Sequence, residues 1–248
     1  MLFDAHSHLD LMREEERNLA LSGAKTAGIM KIISCSTSFA SNEKNLELAK
    51  NNPEILPAIG LYPLDAMDLT PLELDKAFYF FNAEISKATA VGEVGLDYKY
   101  AVKKEDQKKQ EDIFSRFIEL SKESKKPLII HSRYAQSQVL KMLEESNAKK
   151  ALLHSFVDSE KLMKKAAEKE YFVSVGLNVL ENENIQKNIL AFPLNNLLFE
   201  TDSPIRFSGE KAMPAKIKLI AQKVAELKSL SLKEVEDQQE KNFKKLFF

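Results

Sequence analysis

Short apolar runs alternate with helix-patterned stretches along the whole of this chain, and that alternation limits its fold more than any other feature. The runs lie at 2–6, 29–34, 55–61, 89–94, 128–131, 151–154, 171–175 and 197–202. They are continuously apolar, as strands buried on both faces must be, and do not alternate polar with apolar residues. Between them the apolar residues recur at helical spacing. Ile113, Phe114, Phe117 and Ile118 make one such face, and Val139, Leu140 and Leu143 another. Leu162, Met163, Ala166 and Ala167 make a third, and Ile217, Ile220, Ala221, Val224 and Leu227 a fourth. Buried strands separated by helices call for a parallel sheet covered by helices. Eight such units in 248 residues match the size of a closed α/β barrel of the (β/α)₈ type, expected here as one domain over residues 1–248. An open doubly wound sheet is the competing layout, but it would gather its polar residues near one switch point. Here they recur at the carboxyl ends of the runs from first to last.

Charge and composition narrow the function classes. A net charge of -1 argues against a general nucleic-acid coat protein, which is strongly basic. It leaves room for an enzyme acting on nucleic-acid ends, because bound divalent ions supply positive charge locally. No apolar run approaches the ~20 residues that cross a bilayer. The start, MLFDAHSHLD, has no basic stretch followed by a long apolar one, so no signal peptide is expected. The single cysteine, Cys35, follows an apolar run and reads as a buried thiol. A reducing cytoplasm fits these features.

The residues with chemistry cluster at the run ends. All four histidines, His6, His8, His131 and His154, end or closely follow a run. His6 and His8 are two apart, so on a strand both face the same way and can hold one ion. Alone, such a pair is more often a hydrogen-bonded turn. Glu93 sits in the apolar stretch ATAVGEVGLD, where a carboxylate needs a cation, a metal or a full set of donors. A salt bridge would serve equally well, and Gly92 and Gly95 allow backbone or ligand to approach closely. Asp202 closes the eighth run in LLFETDSP, where helix capping is the bland alternative. Glu200, two residues earlier, is a candidate acceptor behind a ligating imidazole, with pairing to a buried base as the alternative. Six such groups collected at one barrel rim exceed the needs of one zinc with an open position and suit two divalent ions. Glu93 is the natural bridge between them, having two oxygens and coming from the middle of the set.

At this level the chain resembles the TatD family of metal-dependent deoxyribonucleases, within the amidohydrolase-type barrels. The resemblance rests on DAHSHLD, GEVGLDY, PLIIHSR, LLHSF and ETDSP in that order, and on Asn242 with the terminal phenylalanines. It implies metal binding by His6, His8, Glu93, His131, His154 and Asp202, and hydrolysis of DNA phosphodiesters, commonly from a 3′ end. The chain departs from the family at GLYPLDA, where Tyr62 stands at a position usually occupied by histidine.

The expected mechanism is two-metal phosphodiester hydrolysis, with Asp202 as general base and Glu93 shared by the ions. Mixed nitrogen and oxygen donors suit Mg, Mn or Zn. Arg133, two residues after His131, has a fork matched to phosphate, although a surface ion pair is the plain alternative. Tyr62 is expected over the site as a substrate contact rather than a ligand, with simple packing under a loop as its alternative. Lys99, Lys103, Lys104, Lys108 and Lys109 offer a basic approach for a strand backbone, although a lysine-rich helix start is more often only a solvated face. The expected partner is DNA with single-stranded ends, with no membrane and no obligate protein partner. A rival reading keeps the metals but deaminates or hydrolyses a small amide; release of ammonia rather than nucleotides separates the two. A catalytically dead scaffold is the third reading, which metal content after purification tests.

Overall fold

The computed structural model describes residues 1–157 and 159–248. Its eight long-sheet strands are β1 (Leu2–Ser7), β2 (Ile29–Cys35), β3 (Ile55–Ile59), β4 (Ala90–Asp97), β5 (Leu128–Arg133), β6 (Ala151–Leu153), β7 (Phe172–Val175) and β8 (Leu197–Phe199). Each of the eight expected runs overlaps one of them. Sheet order equals chain order, from β1 to β8, and helices separate the strands. This is the topology of the (β/α)₈ barrel. By their internal contacts the residues fall into two compact units, one of 1–34 with 155–248 and one of 35–154.

In the first unit, β1 pairs in parallel with β2 from Leu2↔Ile29 to Ser7↔Ser34, and β7 pairs with β8 from Val173↔Leu197 to Val175↔Phe199. The last helix, Leu232–Phe247, begins with a capping box in which Ser231 and Glu234 satisfy each other's backbone N–H groups. Its inner face buries Val235, Phe243 and Leu246, and Phe243 stacks on Phe3 with centroids 4.4 Å apart. Gln239 Nε2 and Asn242 Nδ2 both donate to the Leu197 carbonyl, at 2.9 and 2.7 Å. These bonds fix the start of β8. The run expected at 197–202 is strand only as far as Phe199, and Glu200–Asp202 form a loop. The apolar signal ends at Phe199, and Asp202 takes a left-handed φ of 52° that no extended strand accommodates.

In the second unit, β3 to β6 pair in parallel, with Ala58↔Ala90, Gly95↔His131 and Ile129↔Leu152 among the matched residues. The helix Lys104–Ser124 packs Ile113, Phe114, Phe117 and Ile118 inward as its spacing predicts. Phe78, Phe81 and Phe117 form a ring cluster with Phe117 centroids 4.6 and 5.2 Å from the other two. Burial of each such ring stabilises the unit by roughly 2–3 kcal/mol. Cys35 is buried, as expected for a structural thiol.

β4 runs three residues past the expected end at 94. Gly95 makes this possible. Its φ is +135°, and a Cβ there would lie 2.1 Å from the His131 carbonyl oxygen. The close neighbour of both glycines is therefore β5, since a Cβ at Gly92 would meet the Ile129 Cβ at 2.7 Å. Gly95→Ala is expected to cost about 3 kcal/mol by forcing the two strands apart, a fall in Tm of roughly 6–12 °C. Thermal unfolding followed by circular dichroism checks this, and an unchanged Tm would contradict the pairing of β4 with β5.

Candidate metal centre

The first unit builds one cluster from the end of β1 and the loop after β8. Ser7 Oγ donates to the Ile33 carbonyl at 2.8 Å, and the Leu9 N–H donates to Ser34 Oγ at 3.0 Å. These bonds tie the end of β1 to β2 and leave His6 and His8 on its other side. Both imidazoles are buried, and their Nε2 atoms stand 3.1 Å apart. The loop after β8 is held against β1 by its own backbone. The Asp202 N–H donates to the His6 carbonyl at 3.0 Å, and the His8 N–H donates to the Ser203 carbonyl at 2.6 Å. Asp202 Oδ1 thereby comes within 3.4 Å of His6 Nε2 and 3.3 Å of His8 Nε2. Donors ~2.0–2.1 Å from a tetrahedral ion stand about 3.3–3.4 Å apart along each edge. Three donors at these spacings form one face of such a tetrahedron, so the residues present fit a divalent ion.

Beneath this cluster lies a second carboxylate. Asp4 is completely buried and accepts the Thr201 N–H at 3.0 Å, with the Thr201 hydroxyl on its other oxygen. Thr201 Oγ1 is in turn 2.8 Å from Ser203 Oγ. Burial pushes the Asp4 carboxyl up to about 8, although its hydrogen bonds with Thr201 and His6 pull the other way. The Thr201 hydroxyl donates to Asp4 and stays within hydrogen-bond distance of the Ser203 hydroxyl. The residues flanking Asp202 are thus anchored on a buried carboxyl. Glu200 accepts the Ser174 hydroxyl at 2.5 Å, tying the loop to β7.

The second unit brings Glu93, His131 and His154 together, with one donor atom from each lying within 4.8 Å of the others. Glu93 is buried on β4, where its Oε1 is 3.0 Å from His131 Nδ1 and 3.7 Å from His154 Nε2. The other nitrogen of His131, Nε2, is 3.1 Å from Asp97 Oδ2. Asp97 is fully buried and was not singled out from sequence, because β4 was expected to stop at 94. The available signal was a second acid four residues beyond Glu93 in the same small, apolar stretch. Asp97 accepts the Tyr62 hydroxyl at 2.6 Å and the Lys99 N–H at 3.0 Å, and its own N–H donates to Gln110 Oε1 at 2.8 Å. A carboxylate held from so many directions fixes the His131 ring, with Nε2 on Asp97 and Nδ1 directed at Glu93.

The electrostatics follow from these contacts. Burial raises the Asp97 carboxyl, but its hydrogen bonds with His131 and Tyr62 outweigh that and leave it below its ordinary value. Burial lowers His131, yet the hydrogen bonds to Asp97 and Glu93 raise it above the usual imidazole range. The Tyr62 phenol is raised first by burial and then by its bond to Asp97, so it stays protonated as a donor.

Tyr62 is half-buried, with its ring 4.8 Å from the His131 ring. Its hydroxyl is taken up by Asp97, a partner that sequence reasoning did not assign to it. Arg133 is exposed at the end of β5, its guanidinium 5.8 Å from the Tyr100 ring. Of the five lysines after β4, Lys108 pairs with Asp112 at 2.8 Å, and Lys109 donates to the Met67 carbonyl at 2.6 Å. Each unit therefore carries a cluster of imidazoles with a carboxylate, and the six expected ligands divide three and three between them.

Residues 3–248 match the family model described as TatD related DNase. The chain is 30% identical over 256 residues to an uncharacterized metal-dependent hydrolase, YabD, of Bacillus subtilis, covering 100% of this chain and 99% of that one. It is also 30% identical over 260 residues to the human deoxyribonuclease TATDN3, covering 99% of this chain and 94% of the relative. The crystal structure of the TatD homologue YjjV from Escherichia coli shares its fold, with a TM-score of 0.89 at 24% identity over 99% of this chain and 97% of that one.

Proposed function

Because the chain belongs to the TatD related DNase family, a family of metal-dependent hydrolases, we propose that it cleaves DNA phosphodiesters from a single-stranded 3′ end with two divalent ions. The observation that carries this reading is the pair of donor clusters, His6, His8 and Asp202 in one unit and Glu93, His131 and His154 in the other. We take residues 1–248 as one catalytic domain, in which His6, His8 and Asp202 would serve as one set of metal ligands and Glu93, His131 and His154 as another. Mg, Mn and Zn all accept this mixture of imidazole and carboxylate donors. When bound, the ions supply Lewis-acid charge to the attacking water and to the phosphate.

The protein's own groups supply the rest. Asp202 receives the proton from the attacking water as the new P–O bond forms and the bond to the leaving nucleoside oxygen breaks, and that oxygen takes up a proton from solvent. Its main-chain bond to His6 keeps that carboxylate in place. Asp97 holds the His131 ring with Nδ1 turned toward Glu93, and Tyr62 steadies Asp97 by donating its hydroxyl. Arg133 is free of carboxylate partners among the described residues and contacts a non-bridging phosphate oxygen in this reading. No described helix is long and apolar enough to cross a membrane. With a buried lone thiol, we place the enzyme in the cytoplasm.

The test is degradation of end-labelled single-stranded DNA by the purified protein, repeated with each metal, alongside an assay for ammonia from nucleobases and small amides. Stepwise loss of nucleotides from the 3′ end is the expected result. Ammonia release without DNA cleavage would replace this reading with deamination or amide hydrolysis.

A further inference from the structure

Just beyond His131, beside Arg133, the ends of β4 and β5 carry two aromatic rings and a lysine that the chemistry above does not use. The two strands finish in register at Asp97↔Arg133, and the Tyr98 N–H donates to the Arg133 carbonyl at 2.9 Å. The segments that leave them present two tyrosines to solvent, Tyr100 at 55% exposure and Tyr134 at 72%. Solvation alone does not account for either. Ala101, beside Tyr100, is buried, so the segment is anchored while the ring is left outside. Tyr134 sits in a tight turn closed by the Ala135 N–H on the Ser132 carbonyl at 2.9 Å, with a φ of 57°. A bulky residue in the left-handed region is disfavoured, and glycine or asparagine would hold the turn with less strain. What tyrosine adds at that position is an outward-facing aromatic ring.

Two cations flank the Tyr100 ring. Lys99 Nζ lies 5.7 Å from the Tyr100 ring centroid, and the Arg133 guanidinium lies 5.8 Å from it. Both distances are within cation–π range, which a cation satisfies while keeping its hydrogen-bond donors turned outward. Among the described residues, neither cation forms an ion pair with a carboxylate. On a chain with a net charge of -1, two cations without acidic partners stand at the exposed Tyr100 ring, and one of them, Arg133, directly precedes the exposed Tyr134. Rings that offer a flat apolar face, interleaved with phosphate-binding cations, are the elements that hold single-stranded nucleic acid.

We propose that Tyr100 and Tyr134 form a stacking platform for the nucleobases of a single-stranded DNA end, with Arg133 and Lys99 gripping its backbone phosphates. This rests on the nuclease reading above and adds how the substrate is held. The platform stacks on any base, so it selects single strands over duplex, whose bases are already stacked, and shows little sequence preference.

The test uses the metal-loaded protein and a fluorescent, non-cleavable phosphorothioate single strand, with affinity read by anisotropy. Tyr134→Ala and Tyr100→Ala are each expected to weaken binding by about tenfold, while Tyr134→Phe and Tyr100→Phe stay within about twofold of the parent. A probe with abasic sites at its 3′ end should bind the parent about tenfold less well. It should lose much less on top of either alanine substitution, because the same contact is already gone. Arg133→Gln should lower the salt dependence of binding by about one unit of slope. The platform is overturned if the alanine variants bind the probe like the parent, or if they weaken normal and abasic probes by the same factor. Cleavage of ordinary DNA by the parent is measured in parallel. If the parent degrades DNA while the alanine variants bind normally, only the platform falls. If the parent neither binds nor cleaves DNA, the proposed function falls with it.

Discussion

Asp202→Asn is expected to leave a folded protein whose turnover on single-stranded DNA is lower by about 10²–10⁴-fold. The amide keeps the size of the carboxylate and an oxygen facing His6 and His8, but it cannot accept the proton of the attacking water. The backbone bonds that place this loop, from Asp202 to the His6 carbonyl and from His8 to the Ser203 carbonyl, do not involve the side chain. Folding should therefore be nearly unaffected, with a Tm within a few degrees of the parent, about 1 kcal/mol or less. The loss should appear in kcat and not in KM, because the substrate contacts assigned to Arg133 and to the two tyrosines are untouched. Steady-state kinetics on an end-labelled strand, together with metal content by mass spectrometry, decides the matter. Parent-like turnover in a metal-loaded Asp202→Asn protein would move the base to another residue.

Metal removal should have an effect at least as large. Exhaustive chelation is expected to abolish hydrolysis, and divalent ions added back should restore it. Loss of activity on acidification should accompany this. Imidazoles coordinate only when neutral, so protons compete with the ions as pH falls through the histidine pKa values, ordinarily near ~6.5. Burial lowers the His131 pKa, but its hydrogen bonds to Asp97 and Glu93 raise it further than burial lowers it. The sign is therefore fixed: metal affinity should begin to fall at a pH above the usual imidazole value, and should fall further as acidity increases. Titration of metal binding across pH by calorimetry measures this separately from turnover. Full activity after prolonged dialysis against chelator would exclude the two-ion mechanism.

How much of this was legible beforehand differs from element to element. The eight strands appeared as apolar runs because both faces of such strands are buried, and burial writes itself into sequence as continuous hydrophobicity. Helix faces such as Ile113, Phe114, Phe117 and Ile118 were equally plain, since a helix buries residues at a regular spacing. The candidate ligands stood out for a chemical reason: imidazoles and carboxylates at the ends of apolar strands need something to compensate them.

Strand ends were another matter. β4 continues to Asp97 because Gly95 allows the main chain to press against the His131 carbonyl, a contact between residues 36 apart in sequence. Hydrophobicity says nothing of such a contact. The role of Asp97 was hidden for the same reason, since its partners Tyr62, Gln110 and His131 come from three separate segments. Tyr62 shows the same limit. Its place after β3 was clear from sequence, but the acceptor of its hydroxyl is 35 residues away and is set by the pairing of strands.

Asp202 marks the boundary between the two kinds of information. An acid after an apolar run was visible, but its approach to His6 and His8 depends on a left-handed backbone turn and on hydrogen bonds to a strand nearly 200 residues earlier. By itself, the sequence determined the fold class, the strand and helix faces and the identity of the candidate ligands, because burial and ionic chemistry act residue by residue. Only the tertiary structure decided which ligands share a cluster, which acid orients His131 and which rings remain outside, because hydrogen bonds and close backbone contacts join residues that are distant along the chain.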